Sequence, residues 1–260
     1  MLETLFQLNP KLLTAMKTSN IFRLAASLAL SLLLGGCQCD DLFPERLSGH
    51  GATVAESRTV PAFSRVALDL DGTVFLTQGP TSSIRVEAQR NVLDVLKTDV
   101  SGGKLAIGFG RVSVRRHDPI RIYVTTPDLT GVGVSGAGEV RAREAWAVQD
   151  LDLSLAGSGT IRFDQLTARD LNTDVSGSGR VQLSGLARAN SVGISGSGRV
   201  EAHDLSLQTA DVNLSGSGTS YLTATQALRA TISGSGKVYY KGRPAVTARV
   251  SGSGRVVDAN

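Results

Sequence analysis

The chain has 260 residues, 41% apolar and 19% charged, with a formal net charge of +4. That length suits one elongated domain or two joined parts, and the charge is too small to argue for nucleic acid as a partner. With Cys37 and Cys39 as the only cysteines, a disulfide framework and a cysteine zinc site are excluded.

Residues 1–36 read as targeting sequence. Arg23 precedes the apolar run from Leu24 to Leu34, eleven residues, too short to span a bilayer and of the length of a signal-peptide core. The run ends in Leu34-Gly35-Gly36-Cys37, which resembles the bacterial lipobox. That resemblance implies cleavage before Cys37 and a diacylglyceryl group on its sulfur, an outer-membrane lipoprotein given Gln38 at the next position, and membrane attachment through multiple acyl chains. The ordinary alternative is a secretory peptide that happens to contain a cysteine. Met16-Lys17 makes a normal basic start, so Met16 is the expected initiator. Removing residues 1–36 takes away Lys11, Lys17, Arg23 and Glu3 and lowers the net charge to about +2. Residues 37–58, polar and broken by Pro44, Gly49 and Gly51, read as a tether, and residues 59–260 as one domain.

From Val60 to about Pro127 the pattern is alternation. Val66, Leu68 and Leu70 alternate, and Val74-Phe75-Leu76 is a short apolar run. Ile84 with Val86, Leu105 with Ile107, Val112 with Val114, and Ile120, Ile122 and Val124 follow. These are strands of a half-buried sheet joined by Gly, Pro and Asp turns. One helical turn is expected, between Asn91 and Lys97.

A period takes over from Gly131. Seven Gly-x-Gly corners occur, with first glycines Gly136, Gly157, Gly177, Gly196, Gly216, Gly234 and Gly252, at steps of 21, 20, 19, 20, 18 and 18 residues. Their second glycines are Gly138, Gly159, Gly179, Gly198, Gly218, Gly236 and Gly254. Two residues before each first glycine stand Val134, Leu155, Val175, Ile194, Leu214, Ile232 and Val250. Four residues after it stand Val140, Ile161, Val181, Val200, Ser220, Val238 and Val256. Side chains alternate faces along a strand, so these aliphatics point into one continuous core. Glycine at both corner positions permits dihedrals closed to other residues, and serine hydroxyls are expected to bond the turn backbone. The expected fold is all-β: a parallel β-solenoid of about seven C-terminal coils behind a β-rich N-terminal lead-in. Coils spaced by ~4.8 Å would stack into a rod roughly 30 Å long. A propeller is disfavoured, because its blades need about forty residues.

Pro61 to Leu68, Gly72-Thr-Val-Phe-Leu-Thr-Gln-Gly79, Ser83 to Glu87 and Gly103 to Ile107, running into Val134-Ser-Gly-Ala-Gly138 and its later copies, resemble the bacterial "putative auto-transporter adhesin, head GIN domain" family over roughly residues 60–256. The resemblance implies a β-helix-like fold on an exported, often lipid-anchored protein. It implies no catalytic site.

Catalytic motifs fare poorly. Asp69-Leu70-Asp71-Gly72-Thr73 matches the first motif of haloacid-dehalogenase-type phosphatases, but that chemistry needs a downstream lysine, an acidic magnesium site and alternating helices. A strand ending in an Asp71-Gly72 turn is the plainer reading. Gly131-x-Gly133-x-x-Gly136 has dinucleotide-fingerprint spacing, yet strand alternation runs straight through it. Calcium rolls need aspartates after their glycines, and His50, His117 and His203 form no definable triad. No cofactor, no metal and no enzymatic activity are expected.

The position after each second glycine reads Glu139, Thr160, Arg180, Arg199, Thr219, Lys237 and Arg255, and it should face outward. Arg180 with Arg199, and Lys237 with Arg255, then form a basic ladder able to attract an anionic glycan or other envelope component. A solvated face neutralised by Asp174, Glu201 and Asp211 is the bland alternative. Tyr221 and Tyr239 should stack outward on neighbouring coils, to bind sugar or to cover a coil edge or subunit contact. The reading is thus an exported, lipid-anchored, non-catalytic envelope protein that binds through its solenoid face. The alternatives are a homo-oligomer assembled through coil edges and, less favoured, an envelope hydrolase.

Overall fold

The computed structural model describes residues 46–260; the expected signal peptide, the lipobox-like segment with Cys37, and Cys39 lie outside the described residues. The stretch expected to be a tether is already structured from Arg46. Strand β1 (Arg46–Ser48) pairs with β8 (Ser113–Arg115), and β2 (Thr53–Arg58) pairs antiparallel with β5 (Ser83–Gln89). The polar composition of 46–58 is misleading because both strands sit at an edge, where outward polar side chains are normal.

Behind the lead-in the chain is a stack of parallel coils. Strands β11 (Glu139–Gly157), β12 (Thr160–Gly177), β13 (Arg180–Gly196), β14 (Arg199–Gly216) and β15 (Thr219–Gly234) each run through almost a whole coil and pair in parallel with the next. The last coil is split into β16 (Lys237–Lys241), β17 (Ala245–Gly252) and β18 (Arg255–Asp258). The register joins Gly136 to Gly157, Gly177, Gly196, Gly216, Gly234 and Gly252 in one column. Seven corners therefore bound six complete turns, one fewer than the expected coil count. Each turn has a front arm after its Gly-x-Gly corner and a rear arm before the next one. Between the arms lies a looser bend, where the register slips, for example between Ala142 and Ala145 and between Ala202 and Ser206.

The two glycines of a corner are required for different reasons. The first holds a positive φ, as at Gly157 with +118°, and a Cβ there would lie 2.5 Å from the Gly136 carbonyl oxygen of the coil beneath. The second glycines, Gly138, Gly159, Gly179, Gly198, Gly218, Gly236 and Gly254, have no positive φ, so the dihedral freedom expected at both positions is used only at the first. What they lack is room. A Cβ on Gly198 would meet Val175 Cγ1 at 2.4 Å, on Gly218 Ile194 Cγ2 at 2.6 Å, on Gly236 Leu214 Cδ2 at 2.1 Å, and on Gly254 Ile232 Cγ2 at 2.5 Å. Each of those aliphatics belongs to the inward column of the coil beneath. Successive corners thus rest directly on one another, and Ser158 and Thr160 N–H groups donate to the Gly136 and Gly138 carbonyls at 2.9 and 3.0 Å. The main chain ties the corners together. The expected serine-hydroxyl bonds to the turn do not occur among the described residues, because those hydroxyls project to solvent.

The aliphatic columns expected from the period are buried: Val140, Ile161, Val181, Val200 and Val238 on the front arm, and Leu155, Val175, Ile194, Leu214 and Ile232 on the rear arm. Each such side chain contributes roughly 1.5–3 kcal/mol relative to staying exposed. Polar exceptions are few. Thr173 Oγ1 donates to Asn190 Oδ1 at 3.2 Å inside the core, while Asn190 Nδ2, Ser220 Oγ and Trp146 Nε1 have no partner.

The lead-in extends the same stack and then closes it. Strands β3 (Arg65–Asp69) and β4 (Thr73–Gln78) form a coil whose corner is Asp71-Gly72. On one side it pairs with β10 (Gly131–Gly136) and the start of β11, on the other with β7 (Lys104–Gly108) and β9 (Arg121–Thr126). This places the phosphatase-like Asp69 and Asp71 at a solenoid corner, without the α/β domain that chemistry requires. Beyond β7 and β9 the direction reverses: β6 (Lys97–Ser101) runs antiparallel to β7, and β5 runs antiparallel to β9. The helical turn α1 (Arg90–Leu93) buries Val92 and Leu93 against them. Arg58 straps this cap, donating to the carbonyls of Leu96 and Leu93 at 2.6 and 3.0 Å and to Thr98 Oγ1 at 3.3 Å.

Candidate functional site: the front face

Parallel stacking turns sequence spacing into geometry. On the front arm the post-glycine residues occupy one outward column, with Arg180 opposite Arg199 and Lys237 opposite Arg255. Thr219 separates the two pairs. Two residues further along each strand runs a second outward column, Arg141, Arg162, Gln182, Glu201, Tyr221 and Tyr239.

The two basic pairs differ electrostatically. Arg180 and Arg199 both approach Glu201 Oε1, at 3.5 and 3.7 Å, and Gln182 Nε2 donates to the other carboxylate oxygen at 2.8 Å. Glu201 retains only 15% of its side-chain exposure, so it acts as a clamp beneath the two guanidinium groups. Lys237 and Arg255 have no ion-pair partner among the described residues. Asp211, one of the acids expected near the ladder, instead faces Arg229 on the rear arm at 3.7 Å, and Asp174 accepts from Asn172 at 3.0 Å. Tyr221 and Tyr239 stack with centroids 5.0 Å apart and planes 9° from parallel, with Arg199 6.0 Å above the Tyr221 ring.

A matching cluster at the opposite end of this face is absent from the sequence-based expectations. Phe75 and Tyr123 stack at 5.2 Å, flanked by Arg143 over Phe75 and Arg85 over Tyr123. Its signal lies in the strand parity: with Val74 and Leu76 inward, Phe75 must point outward.

Elsewhere the ionisable groups pair along the surface. Glu139 hydrogen-bonds Arg141 and raises its pKa. Past the bend, in β12, the Arg188 guanidinium, and then Arg169, hold the Asp170 carboxyl below its ordinary value. Buried polar side chains among the described residues are Gln89, Thr126, Thr173, Asn190 and Ser220, none of them ionisable. The concavities are shallow. One of about 340 Å³ opens on the rear arm where Gly193 lies between Asp174 and Asn213, and one of about 670 Å³ runs from Asp128 and Thr130 to Ala147 and Asp152. His50 and His117 lie on the lead-in, hydrogen-bonded to Asn91 and to the Asp118 carbonyl, whereas His203 is in β14 beside Asp204. Among the described residues no three metal-ligating side chains converge.

This fold has solved relatives. A "putative adhesin" from Bacteroides fragilis superposes with a TM-score of 0.78 at 23% identity, covering 82% of this chain and 99% of its own. A "putative lipid binding protein" from Parabacteroides distasonis gives 0.66 at 24% identity, over 83% and 100%. A "putative adhesin" from Parabacteroides merdae gives 0.63 at 22% identity, over 83% and 100%. No curated protein matches the sequence. The model of one family matches residues 62–244, spanning most of the lead-in and nearly all of the coils. The chain thus belongs to the "putative auto-transporter adhesin, head GIN domain" family.

Proposed function

We propose that this is an exported envelope protein, lipid-anchored at Cys37 in the outer membrane, that acts without catalysis by binding an anionic glycan or other anionic envelope component along its front face. One observation carries the reading: cations and stacked tyrosines stand in register on adjacent coils, outward, while no ionisable side chain among the described residues is buried. Catalytic groups are usually tuned by burial, whereas an exposed ladder offers many weak contacts to a repeating polyanion. The ladder has an inherent bias. Glu201 screens Arg180 and Arg199, so Lys237 and Arg255 should supply most of the attraction.

The test is retention of the full chain on immobilised dextran sulfate at low ionic strength. Lys237→Ala/Arg255→Ala should elute at markedly lower salt, Arg180→Ala/Arg199→Ala at slightly lower salt, and Glu201→Gln at higher salt. Unchanged elution of the two double variants sinks the reading. Labelling with radioactive palmitate, lost in Cys37→Ser, tests the anchor. Self-assembly through coil edges is the weaker reading. An edge strand is open at β17, but like charges gather around it, and a monomer by light scattering at all concentrations removes that alternative.

A further inference from the structure

The edge formed by β17 and β18 is open among the described residues. Among the described residues β17 pairs only with β15, and β18 only with β16, so one side of each carries backbone donors and acceptors without a strand partner there. All eight residues of β17 are exposed. Val246, Ala248 and Val250 continue the inward columns of Leu228, Ala230 and Ile232, yet Val246 and Val250 are 41% and 44% exposed because no coil lies over them. Around this edge stand Lys237, Lys241, Arg243, Arg249 and Arg255, without ion-pair partners among the described residues; Asp258 is the sole acidic side chain between residues 237 and 260.

These three properties restrict the occupant. A second copy joined end to end would bring five cations against five, and like charges across an interface oppose association. The lead-in end of another copy offers β6 as its edge, where Lys97 and Asp99 supply no net negative charge. A lipid surface would satisfy the charge and the valines but would leave the edge amides and carbonyls without aligned partners. An extended polypeptide meets all three demands.

We infer that the C-terminal edge is a strand-addition site for an acidic peptide segment in which apolar and acidic residues alternate. Main-chain hydrogen bonds to β17 give the affinity. Apolar side chains of the segment cover Val246, Ala248 and Val250, and its carboxylates lie on the opposite side of the added strand, beside Arg249. Eight residues of β17 correspond to a segment of about 26 Å. The end site shares Lys237 and Arg255 with the front-face ladder, but the strand it extends, with Arg249 and Val250, belongs to the rear arm.

The probe is a fluorescein-labelled nine-residue peptide alternating valine and glutamate, titrated against the full chain and read by fluorescence polarisation. Saturable binding is expected, weakened at least tenfold by Val250→Lys and by Arg249→Glu, with Arg180→Ala/Arg199→Ala binding like the parent. N-methylation of alternate peptide amides should abolish binding to the unaltered protein, a measurement independent of how the variants fold. Equal binding of the N-methylated peptide, or of nona-glutamate, reduces the site to charge attraction and overturns the proposal. It is also overturned if sedimentation shows self-association that Val250→Lys removes. Displacement of the peptide by phosphatidylglycerol vesicles, through the same two residues, assigns the site to lipid and overturns it as well.

Discussion

The two ends of the stack solve the same problem in opposite ways. At the lead-in end the last parallel coil is covered by reversed strands β5 and β6 and by α1, so Ile84, Val86, Val92 and Leu93 are buried. At the other end the last described coil carries the same inward residues, and no described strand lies over it. A coil of this kind cannot bury its own inner face, so stability here is a property of neighbours, and a terminal coil has only one. The same residue type is therefore worth different amounts according to its distance from the open end.

The largest effect should come from the corners. Gly216→Val, in the middle of the stack, forces a β-branched residue into φ +117° with its Cβ 2.5 Å from the Gly196 oxygen. A loss above ~4 kcal/mol is expected, seen as failure to fold or a collapsed denaturation midpoint. Gly252→Val makes the same clash with Gly234, but its coil is free to lift away, so the loss should be less than half as large. Equal losses would show that the ends do not differ in this respect.

Next comes the cap. Arg58→Met removes hydrogen bonds from a guanidinium that is 17% exposed and leaves the Leu93 and Leu96 carbonyls unpaired, at a cost of about 2–3 kcal/mol. Amide exchange should accelerate across residues 84–98 while the corners 157–218 stay protected. Uniform acceleration would mean that the cap and the coils open together.

Ser220 interrupts a column of valines and isoleucine, and its buried hydroxyl is unpaired. Ser220→Val should stabilise by about 1 kcal/mol, raising the thermal midpoint by about 2–4 °C. The smallest effect belongs to Asp170. Arg188 and Arg169 depress its pKa in the folded state, so its contribution is present above the ordinary value of 3.8 and is lost as pH falls through the lower folded-state value. Both partners are solvent-exposed, and screening should leave Asp170→Asn with an unchanged midpoint at pH 7.

The coils were legible in the sequence because contact between glycines of successive corners fixes the register, and register fixes parity. Once Gly177 lies over Gly157, the inward place of Val175 and the outward place of Arg180 follow. The division of labour within a corner was not legible, since Gly216 and Gly218 look alike in sequence while one answers to a dihedral angle and the other to the Ile194 side chain beneath it. The threading of the lead-in was hidden too. Its coil β3–β4 is inserted between two coils that come later in the chain, and no period records such a pairing. Glu201 was legible as an acid able to neutralise the ladder, but not the convergence of Arg180 and Arg199 on one of its oxygens, which depends on how two long side chains lean rather than on where their Cα atoms sit.

The contact between corners also governs how this protein can change size. A residue added at Gly177-Ser178-Gly179 would break its registry with the corners on either side, so length along the stack can change only by whole turns of about twenty residues. The opposite bend carries no such restriction. Register already slips there from coil to coil, and the turns differ in length at that edge. New loops, tags or recognition segments belong at exposed bends such as His203-Asp204, just before the buried Leu205.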